Sequence, residues 1–290
     1  MRCWVDGMAG AAVPADDRGL QFGDGVFRTC LVWEQGIHAF DDQLTVLQHD
    51  ADALGLTFDR GKLSTEMQTA ARTLGSGVLK IMLTRRQAGR GYRPDWPAST
   101  RRILLAGEMP RRPVSAWSRG VDVQIVDAPR IETTALAAHK HMNRLVQVMA
   151  QRAIGGSGVD EALLLNEHGR IVGGSMATLF LVTADHVVCT PALAEGALAG
   201  CTRGQVLRHL GSLDVEVREQ AIASDDLFRA QELFLTNSLI GVWPVKAIRD
   251  ADSTQAKQWS VPGAVTRRLA GSMSHPLQQR MIADAAEADQ

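Results

Sequence analysis

A break in composition near residues 107–120 constrains the fold more than any other feature of the sequence. This segment, GEMPRRPVSAWSRG, contains two prolines and several arginines but no apolar periodicity, which is typical of a connection between domains. A chain of 290 residues can bury one large core or two modest ones. The sequence therefore predicts an N-terminal α/β domain over 1–108, a connection over 109–120 and a C-terminal domain over 121–290 that carries Lys140.

The N-terminal part combines helical and strand patterns. Apolar residues recur at helical spacing over 42–56, behind Asp41 or Asp42 as a cap. A second amphipathic helix carries Leu63, Met67, Ala70 and Leu74 on one face, and Gly75 stands where a C-terminal cap belongs. Strands are expected at 77–85 and 101–107.

The C-terminal part is predicted to be rich in strands, mostly antiparallel, and to form a barrel-like or sandwich structure with flanking helices. The fold class is therefore α+β. Strands are expected at 121–127, 161–166, 178–183, 187–190, 232–237 and 242–248. Helices are expected at 142–154, about 200 to 210, and 262–285.

Composition and charge exclude several classes of protein. The net charge of −1 offers no electrostatic footprint for nucleic acid or an anionic membrane. No stretch reaches the ~18 apolar residues that a membrane span requires, and the N-terminus lacks the apolar region of a signal peptide. The four cysteines show no C-x-x-C spacing, so reduced thiols are expected and no metal site is predicted. A cytoplasmic protein without nucleic-acid or membrane partners is expected.

The loop AHKHMNRL (138–145) is the first candidate for chemistry. The chain has only five lysines, and Lys140 lies between His139 and His141 in a segment expected to be buried. Lysine is seldom found away from water without a partner. An environment that removes water from the amine would lower its pKa toward the range of a Schiff-base nucleophile. A solvated lysine that precedes a helix is the alternative.

Three further segments carry candidate binding groups. Gly200, Cys201 and Thr202 begin a predicted helix, whose first N–H groups can hold a phosphate dianion or simply form an N-cap. The Asn237–Ser238 pair ends a strand, where polar groups form either a site or a hairpin turn. The loop 84–94 is rich in arginine, whose guanidinium group matches carboxylates; a solvated basic loop is the alternative.

Several segments taken together resemble the aminodeoxychorismate lyase family, one of the fold type IV pyridoxal-phosphate enzymes that also include branched-chain and D-amino-acid aminotransferases. The resemblance runs collinearly from about residue 4 to 250. It is carried by DRGLQFGDGVFRT (17–29), VLKIMLTR (78–85) with GRGY (89–92), HKHMNRLVQV (139–148), DEALLLNEHGRIV (160–172), the turn before Arg203, and TNSLIGVWPV (236–245).

The resemblance implies two domains with pyridoxal 5'-phosphate between them, and a homodimer. It implies that Lys140 is the Schiff-base lysine and proton shuttle, with His139 and His141 as neighbours that tune it. The implied phosphate ligands are Gly200, Cys201, Thr202, Asn237 and Ser238. Candidates for a small dicarboxylate substrate are Arg28, Arg90, Tyr92 and Arg93. The implied reaction converts 4-amino-4-deoxychorismate to 4-aminobenzoate and pyruvate, a step of folate biosynthesis.

Three positions depart from the family pattern. Val46 aligns with an arginine that binds the cofactor phosphate, Gly173 with a glutamate that pairs with the pyridine nitrogen, and Thr178 with an asparagine. Without the carboxylate the cofactor ring is a weaker electron sink, which harms transamination more than an elimination that creates an aromatic ring. The alternatives are an elimination by Lys140 without cofactor, an aminotransferase of the same fold, and a non-catalytic homologue.

Overall fold

The computed structural model describes residues 2–86, 91–94, 99–110, 116–251 and 254–288. The contacts between residues divide the chain into two compact units. Unit 1 is Met1–Arg111 with His139–Asn143, and unit 2 is Arg112–Ala138 with Arg144–Gln290. The lysine loop His139–Asn143 therefore belongs to unit 1 by its contacts, whereas the sequence assigned it to the C-terminal domain.

Unit 1 is built on an antiparallel sheet with helices packed against it. Within the described part of the chain, six strands lie in the order β2-β1-β6-β5-β3-β4. The strands are β1 (Arg2–Val5), β2 (Met8–Ala9), β3 (Gly25–Trp33), β4 (Gly36–Ile37), β5 (Gly77–Arg85) and β6 (Thr100–Gly107). The helices are α1 (Arg18–Phe22), α2 (Phe40–Ala53) and α3 (Arg60–Leu74).

The core of unit 1 lies between α2, α3 and one face of this sheet. The apolar stripes of the two helices meet the alternate residues of β3 and β5, such as Val26, Cys30, Leu79 and Ile81. Each fully buried leucine of this kind contributes about 2 kcal/mol relative to an exposed one. Because strand side chains alternate between faces, the residues between these core positions lie on the other face of the sheet.

Unit 2 contains a larger, mixed sheet. Over the residues that the structure describes, its strands follow the order β12-β11-β10-β13-β14-β7-β8-β9, and β15 pairs with β14. The pairs β11–β12, β14–β7 and β7–β8 are parallel, and the others are antiparallel. The strands are β7 (Val121–Ile125), β8 (Glu161–Leu165), β9 (Ile171–Gly174), β10 (Thr178–Val182), β11 (Val188–Pro191), β12 (Val217–Gln220), β13 (Glu232–Asn237), β14 (Gly241–Asp250) and β15 (Ala256–Gln258).

Helices cover this sheet of unit 2. They are α4 (Ala116–Arg119), α5 (Leu145–Ala153), α6 (Cys201–Ser212), α7 (Ser224–Arg229), α8 (Ala264–Ser272) and α9 (Pro276–Ala288), with a 3₁₀ turn at Leu193–Glu195. One core cluster joins α6 and α8 to the stacked rings of Phe180 and Phe234, whose centroids lie 5.0 Å apart. Another joins α5 to β8 through Ala150 and Leu164.

Several helix boundaries differ from the sequence prediction. The terminal helix expected over 262–285 is two helices, because Pro276 lacks an N–H and disfavours helical backbone at His275. Helix α2 begins at Phe40, and its N-cap residue Ala39 makes no side-chain capping bond. Asp41 and Asp42, which were expected as caps, lie in the first turn, where their charges suit the helix dipole.

Other predicted elements agree closely with the structure. Helix α3 ends at Leu74 with Gly75 as its C-cap, and β5 covers 77–85 as expected. Strand β9 was not predicted, and helix α6 continues through Gly211, which was expected to end it. The cysteines are free thiols, three of them buried. Within the described residues, no helix combines the length and the apolarity that crossing a membrane requires.

Candidate functional site

The lysine loop pairs with the beginning of β3 through one isolated antiparallel bridge and its flanking hydrogen bonds. The Phe27 N–H donates to the Lys140 carbonyl at 2.9 Å, and the Met142 N–H donates to the Gly25 carbonyl at 2.9 Å. Between them, Val26 and His141 form an antiparallel bridge. Lys140 is thus held by main-chain hydrogen bonds on a strand edge, which is a more rigid support than a surface loop.

Two glycines make this close approach possible. A Cβ atom at Gly25 would lie 2.8 Å from the Met142 sulfur and 2.5 Å from the Leu83 carbonyl oxygen. A Cβ atom at Gly23, where φ is +66°, would lie 2.0 Å from the Asn143 side-chain oxygen. Because Gly23 and Gly25 lack side chains, the turn FGDG (22–25) leaves room for the lysine loop.

The amine of Lys140 lies over an aromatic ring that it shares with a second lysine. Its Nζ is 4.9 Å from the centroid of Phe27, and the Nζ of Lys80 is 4.6 Å from the same centroid. Both contacts are within the range of cation–π attraction. Burial lowers the pKa of Lys80 below its ordinary value. The approach of Lys80 to the ring that Lys140 also contacts was not predicted from the sequence.

Asp50 links the lysine loop to β3 on the face of the sheet opposite to the one that carries the Lys140 amine. This aspartate on α2 is fully buried; one oxygen accepts from the Arg28 guanidinium, and the other lies 3.2 Å from Nδ1 of His139. The ring of His49 lies 4.9 Å from that of His139, and ligand atoms of His49, Asp50 and His139 lie within 4.8 Å of one another. Because both oxygens of Asp50 already accept hydrogen bonds, the geometry favours an ion-pair network over a cation site.

This network changes the role expected of Arg28. The sequence proposed that Arg28 faces a dicarboxylate substrate, but its side chain is 4% exposed and its guanidinium pairs with Asp50 in the core of unit 1. Arg28 lies on the helix-covered face of β3 together with Val26 and Cys30, since alternate residues share a face. Its observed partner is therefore internal.

The arginine-rich loop is described only in part. Arg90 lies outside the described residues, and Arg93 is exposed. Tyr92 is 84% exposed, and its ring lies 5.3 Å from that of Phe22. The guanidinium of Arg18 donates to the carbonyls of Gly91 and Tyr92, so a residue that the sequence did not single out supports this segment.

In unit 2, hydroxyl groups converge at the N-terminus of α6. Thr202 Oγ1 lies 3.5 Å from Ser238 Oγ, and Thr178 Oγ1 lies 3.4 Å from the place that a Cβ atom on Gly200 would take. The N–H of Gly200 itself donates to the Leu198 carbonyl, so this predicted phosphate donor already has an internal acceptor. The first N–H groups of a helix have no acceptor within the helix and point out of its N-terminal end. The N–H groups that follow Gly200 therefore point out of the N-terminus of α6, where the partial positive charge of the helix attracts an anion.

Thr236 adds a buried hydroxyl to this group, which we call the α6 cradle (Thr178, Thr202, Thr236, Ser238 and the first turn of α6). Thr236 is 1% exposed, and its Oγ1 has no hydrogen-bond partner in the structure. It stands directly opposite Thr178 in the β10–β13 pair, and opposite residues of an antiparallel pair point to the same face. A phosphate dianion, which accepts several hydrogen bonds, fits this donor set.

Asn237 has a structural function that explains its position. Its side-chain oxygen accepts from the N–H groups of Leu239 and Ile240, and its side-chain nitrogen donates to the Met176 carbonyl. These bonds close the β13–β14 turn and tie it to the segment before β10. The amide that the sequence proposed as a phosphate ligand is therefore used within the turn.

Position 173 has a backbone conformation that suits glycine. The φ angle of Gly173 is +139°, and a Cβ atom there would lie 3.1 Å from the Ala177 carbonyl oxygen. An L-residue would be strained in this conformation, at a cost of about 1–3 kcal/mol. The local backbone conformation therefore favours glycine at position 173 over the glutamate of the family pattern.

Glu161 is a buried carboxyl group that the sequence did not single out. It accepts hydrogen bonds from Gln151, from the Ser175 N–H and hydroxyl, and from the Met176 N–H. Burial nevertheless raises the pKa of Glu161 above its ordinary value, against the opposing effect of these bonds. The carboxyl group supports the segment that follows Gly173.

Comparison with known proteins bears on both units. A family model described as amino-transferase class IV matches residues 25–248. The chain belongs to this family. It is 31% identical to aminodeoxychorismate lyase from Vibrio harveyi over 279 residues, which cover 93% of this chain and 99% of the relative.

Two solved structures share this fold. The crystal structure of 4-amino-4-deoxychorismate lyase from Pseudomonas aeruginosa matches with a TM-score of 0.88 and 33% identity, over 95% of this chain and 99% of the other. A hypothetical aminotransferase from Mycobacterium tuberculosis, in its PLP-bound form, matches with a TM-score of 0.77 and 17% identity, over 98% and 100% of the two chains. The α+β, two-domain fold type IV architecture expected from the sequence is confirmed.

Proposed function

We propose that this chain is a lyase that converts 4-amino-4-deoxychorismate to 4-aminobenzoate and pyruvate, with Lys140 as its essential catalytic residue. One observation carries the proposal. The lysine that matches the family's reactive lysine is fixed by main-chain hydrogen bonds to β3, and its amine lies over Phe27 on the face of the sheet away from α2 and α3. Two of the relatives that cover nearly the whole chain, from Vibrio harveyi and Pseudomonas aeruginosa, bear this lyase name.

Lys140 performs two proton transfers in the proposed reaction. Its neutral amine takes the proton from the ring carbon that bears the substrate amino group, and the enolpyruvyl C–O bond at the neighbouring carbon breaks. The ring becomes aromatic, and the same amine returns the proton to the methylene carbon of enolpyruvate, which leaves as pyruvate. One side chain therefore both removes and returns the proton, which is general acid–base catalysis by lysine.

The α6 cradle is proposed to hold the phosphate of pyridoxal 5'-phosphate, and Lys140 to hold its aldehyde carbon. When bound, the cofactor supplies an electron sink to the carbon that loses its proton. Thr202 and Thr236 would donate hydroxyl hydrogen bonds to the phosphate, each worth about 1.5–3 kcal/mol because the acceptor is charged. Val46 offers no charge to replace the family arginine, so the proposed cradle relies on neutral donors and the helix dipole.

The reaction suits a site without a carboxylate at position 173. Transamination needs a long-lived carbanion that is protonated again at another carbon, and this requires a strong electron sink. Elimination with aromatisation carries the developing charge away with the leaving group. The glycine-favouring backbone at Gly173 therefore favours the lyase over an aminotransferase of the same fold.

The lack of a carboxylate at position 173 also supports a second candidate mechanism, in which Lys140 catalyses the elimination without the cofactor. Arg93 and Tyr92, and Arg90 outside the described residues, are proposed to contact the substrate carboxylates in either mechanism. Tyr92 and Arg93 are exposed, so they are accessible to a dianion. The two mechanisms predict different responses to cofactor removal.

The decisive experiment combines a spectrum with turnover. Purified protein is scanned for visible absorbance before and after borohydride, and the Lys140 peptide is examined by mass spectrometry for a reduced cofactor adduct. Formation of 4-aminobenzoate and pyruvate is then measured with and without added pyridoxal phosphate. Activity that is lost on cofactor removal and restored by addition supports the cofactor mechanism, whereas equal activity without it supports the second candidate.

A matched pair of variants tests the lysine itself. Lys140→Ala should abolish product formation while leaving the melting temperature unchanged, and Lys62→Ala, an exposed lysine on α3, should retain full activity. Activity of Lys140→Ala equal to that of Lys62→Ala would contradict the proposed mechanism.

A homodimer is proposed from the surface of α5. Leu145 is 72% exposed, Val148 60% and Met149 36%, and their spacing places them on one helix face. An apolar stripe of this kind is typical of a surface that another protein covers. The family resemblance suggests a second copy of this chain as the partner.

A further inference from the structure

The register in which the lysine loop pairs with β3 decides where the Lys140 amine lies. Successive side chains of an extended segment point to opposite faces, so a slip of one residue moves every side chain to the other face. In the observed register, Lys140 lies on the Phe27 side, whereas His139 points toward α2. After a slip of one residue, the Lys140 side chain would point toward the core of unit 1.

Main-chain hydrogen bonds alone do not choose between these registers. The bonds from Phe27 to Lys140 and from Met142 to Gly25 use main-chain groups that every residue except proline carries. The choice must come from side chains that fit only one register. His139 is such a side chain, because its Nδ1 reaches Asp50 at 3.2 Å and the residues on either side of it do not point to that face.

Asp50 connects the two strands that must be aligned. Its other oxygen accepts from Arg28, which follows Val26 and Phe27 on β3, so one buried carboxylate binds both the strand and the loop. A buried ion pair is a weak source of net stability, and its best-attested use is to specify register. The fully buried position of Asp50 makes the alternative registers costly, because they would leave this network incomplete.

We propose that Asp50 and His139 are positioning residues for Lys140: the Arg28–Asp50–His139 network fixes the register of the lysine loop on β3 and so presents the amine on the Phe27 side. The inference rests on the proposed function of Lys140 as the catalytic amine. Neither Asp50 nor His139 touches the reacting atoms in this proposal.

The test compares a disruptive and a conservative change at His139. His139→Leu removes the bond to Asp50, and kcat should fall about 100-fold with KM nearly unchanged, since misplacement of a catalytic group by about 1 Å has an effect of this size. His139→Asn keeps a donor nitrogen near the place of Nδ1 and should recover most of kcat. His49→Leu, on the exposed rim of α2, retains side-chain packing and should keep kcat unchanged.

A labelling measurement separates this inference from the proposed function. Each variant is acetylated briefly with acetic anhydride, and the modification of Lys140 is compared by mass spectrometry with that of Lys80, which lies over the same ring. The Lys140-to-Lys80 ratio should fall severalfold in His139→Leu and stay at the wild-type value in His49→Leu. Because this readout needs no turnover, it tests the positioning of Lys140 even if the chain fails to act on aminodeoxychorismate.

Asp50 is tested in a form that avoids an unpaired buried charge. The double variant Arg28→Met with Asp50→Leu removes both charges, so it should fold, yet it should show the same loss of kcat and of Lys140 labelling as His139→Leu. The proposal is wrong if His139→Leu keeps kcat and the labelling ratio within twofold of the wild type, or if His49→Leu lowers them equally.

Discussion

A single hydroxyl group in the α6 cradle should have opposite effects on stability and on phosphate binding. Thr236 is 1% exposed and its Oγ1 lacks a partner, so Thr236→Val removes a buried polar group and preserves the shape of the side chain. Relief of this unsatisfied hydroxyl should raise the free energy of unfolding of the cofactor-stripped protein by about 1 kcal/mol. In a unit of this size, that corresponds to an increase in Tm of about 2–4 °C.

The same change should weaken binding of a phosphate ligand. A hydrogen bond from a hydroxyl to a charged acceptor is worth about 1.5–3 kcal/mol, so the Kd for pyridoxal phosphate should rise by a factor of about 10 to 100. The unfolding curve of stripped protein in urea and a fluorescence titration with pyridoxal phosphate measure the two effects on one sample.

Thr190 provides the matched control. It is also fully buried, but its Oγ1 donates to the Leu179 carbonyl at 2.8 Å. Thr190→Val should therefore destabilise the protein by about 1 kcal/mol and leave the Kd nearly unchanged, apart from its effect on stability. If Thr236→Val destabilises the protein as Thr190→Val does, the Thr236 hydroxyl already has a partner within the fold, and its assignment to the cradle is wrong.

Three other changes test separate parts of the structure. Burial raises the pKa of Glu161 above its ordinary value of 4.5, so the folded state binds this proton more tightly than the unfolded state does. The free energy of unfolding should therefore decrease as pH rises from 4.5 through the raised pKa, and urea titrations at a series of pH values should show a smaller decrease for Glu161→Gln. Gly173→Ala should cost about 1–3 kcal/mol because φ is +139°, whereas Gly211→Ala inside α6, where a Cβ meets nothing within 4 Å, should gain about 0.5–1 kcal/mol in the same denaturation assay. Val148→Glu should convert the proposed dimer to a monomer in analytical ultracentrifugation while the circular dichroism spectrum keeps its folded shape, and a dimer that persists at micromolar concentration would exclude the α5 face as its interface.

The sequence predicted well those elements whose signals are local. The period of apolar residues and the glycine cap located α3, and the run of β-branched and apolar residues located β5, each within a residue or two. The terminal helix was predicted as one because its apolar period continues across the break. The single Pro276 was the signal that could have divided it.

The candidate site was predicted less completely because its contacts join distant parts of the chain. The start of the helix at Cys201 was predicted from its own sequence, where it suited either an anion site or a plain N-cap, but Thr236 entered the α6 cradle only through its pairing with Thr178. Arg28 was assigned to a substrate because its partner Asp50 is 22 residues away on another element. A charged residue on the apolar face of α2, between Leu47 and Ala51, was the one available sign of a buried ion pair.

The position of Lys140 illustrates why such a site cannot be read from its own motif. The HKHM segment contains the reactive amine, but it does not say which face of a sheet the amine will occupy, since an extended segment alternates whatever its register. That information lies 89 residues earlier, at the carboxylate that His139 reaches. A chain that kept the lysine motif but replaced Asp50 and Arg28 would need another side-chain contact to fix the same register. In a related sequence, the residues at these two positions and at 139 should therefore change together, while the lysine itself is retained.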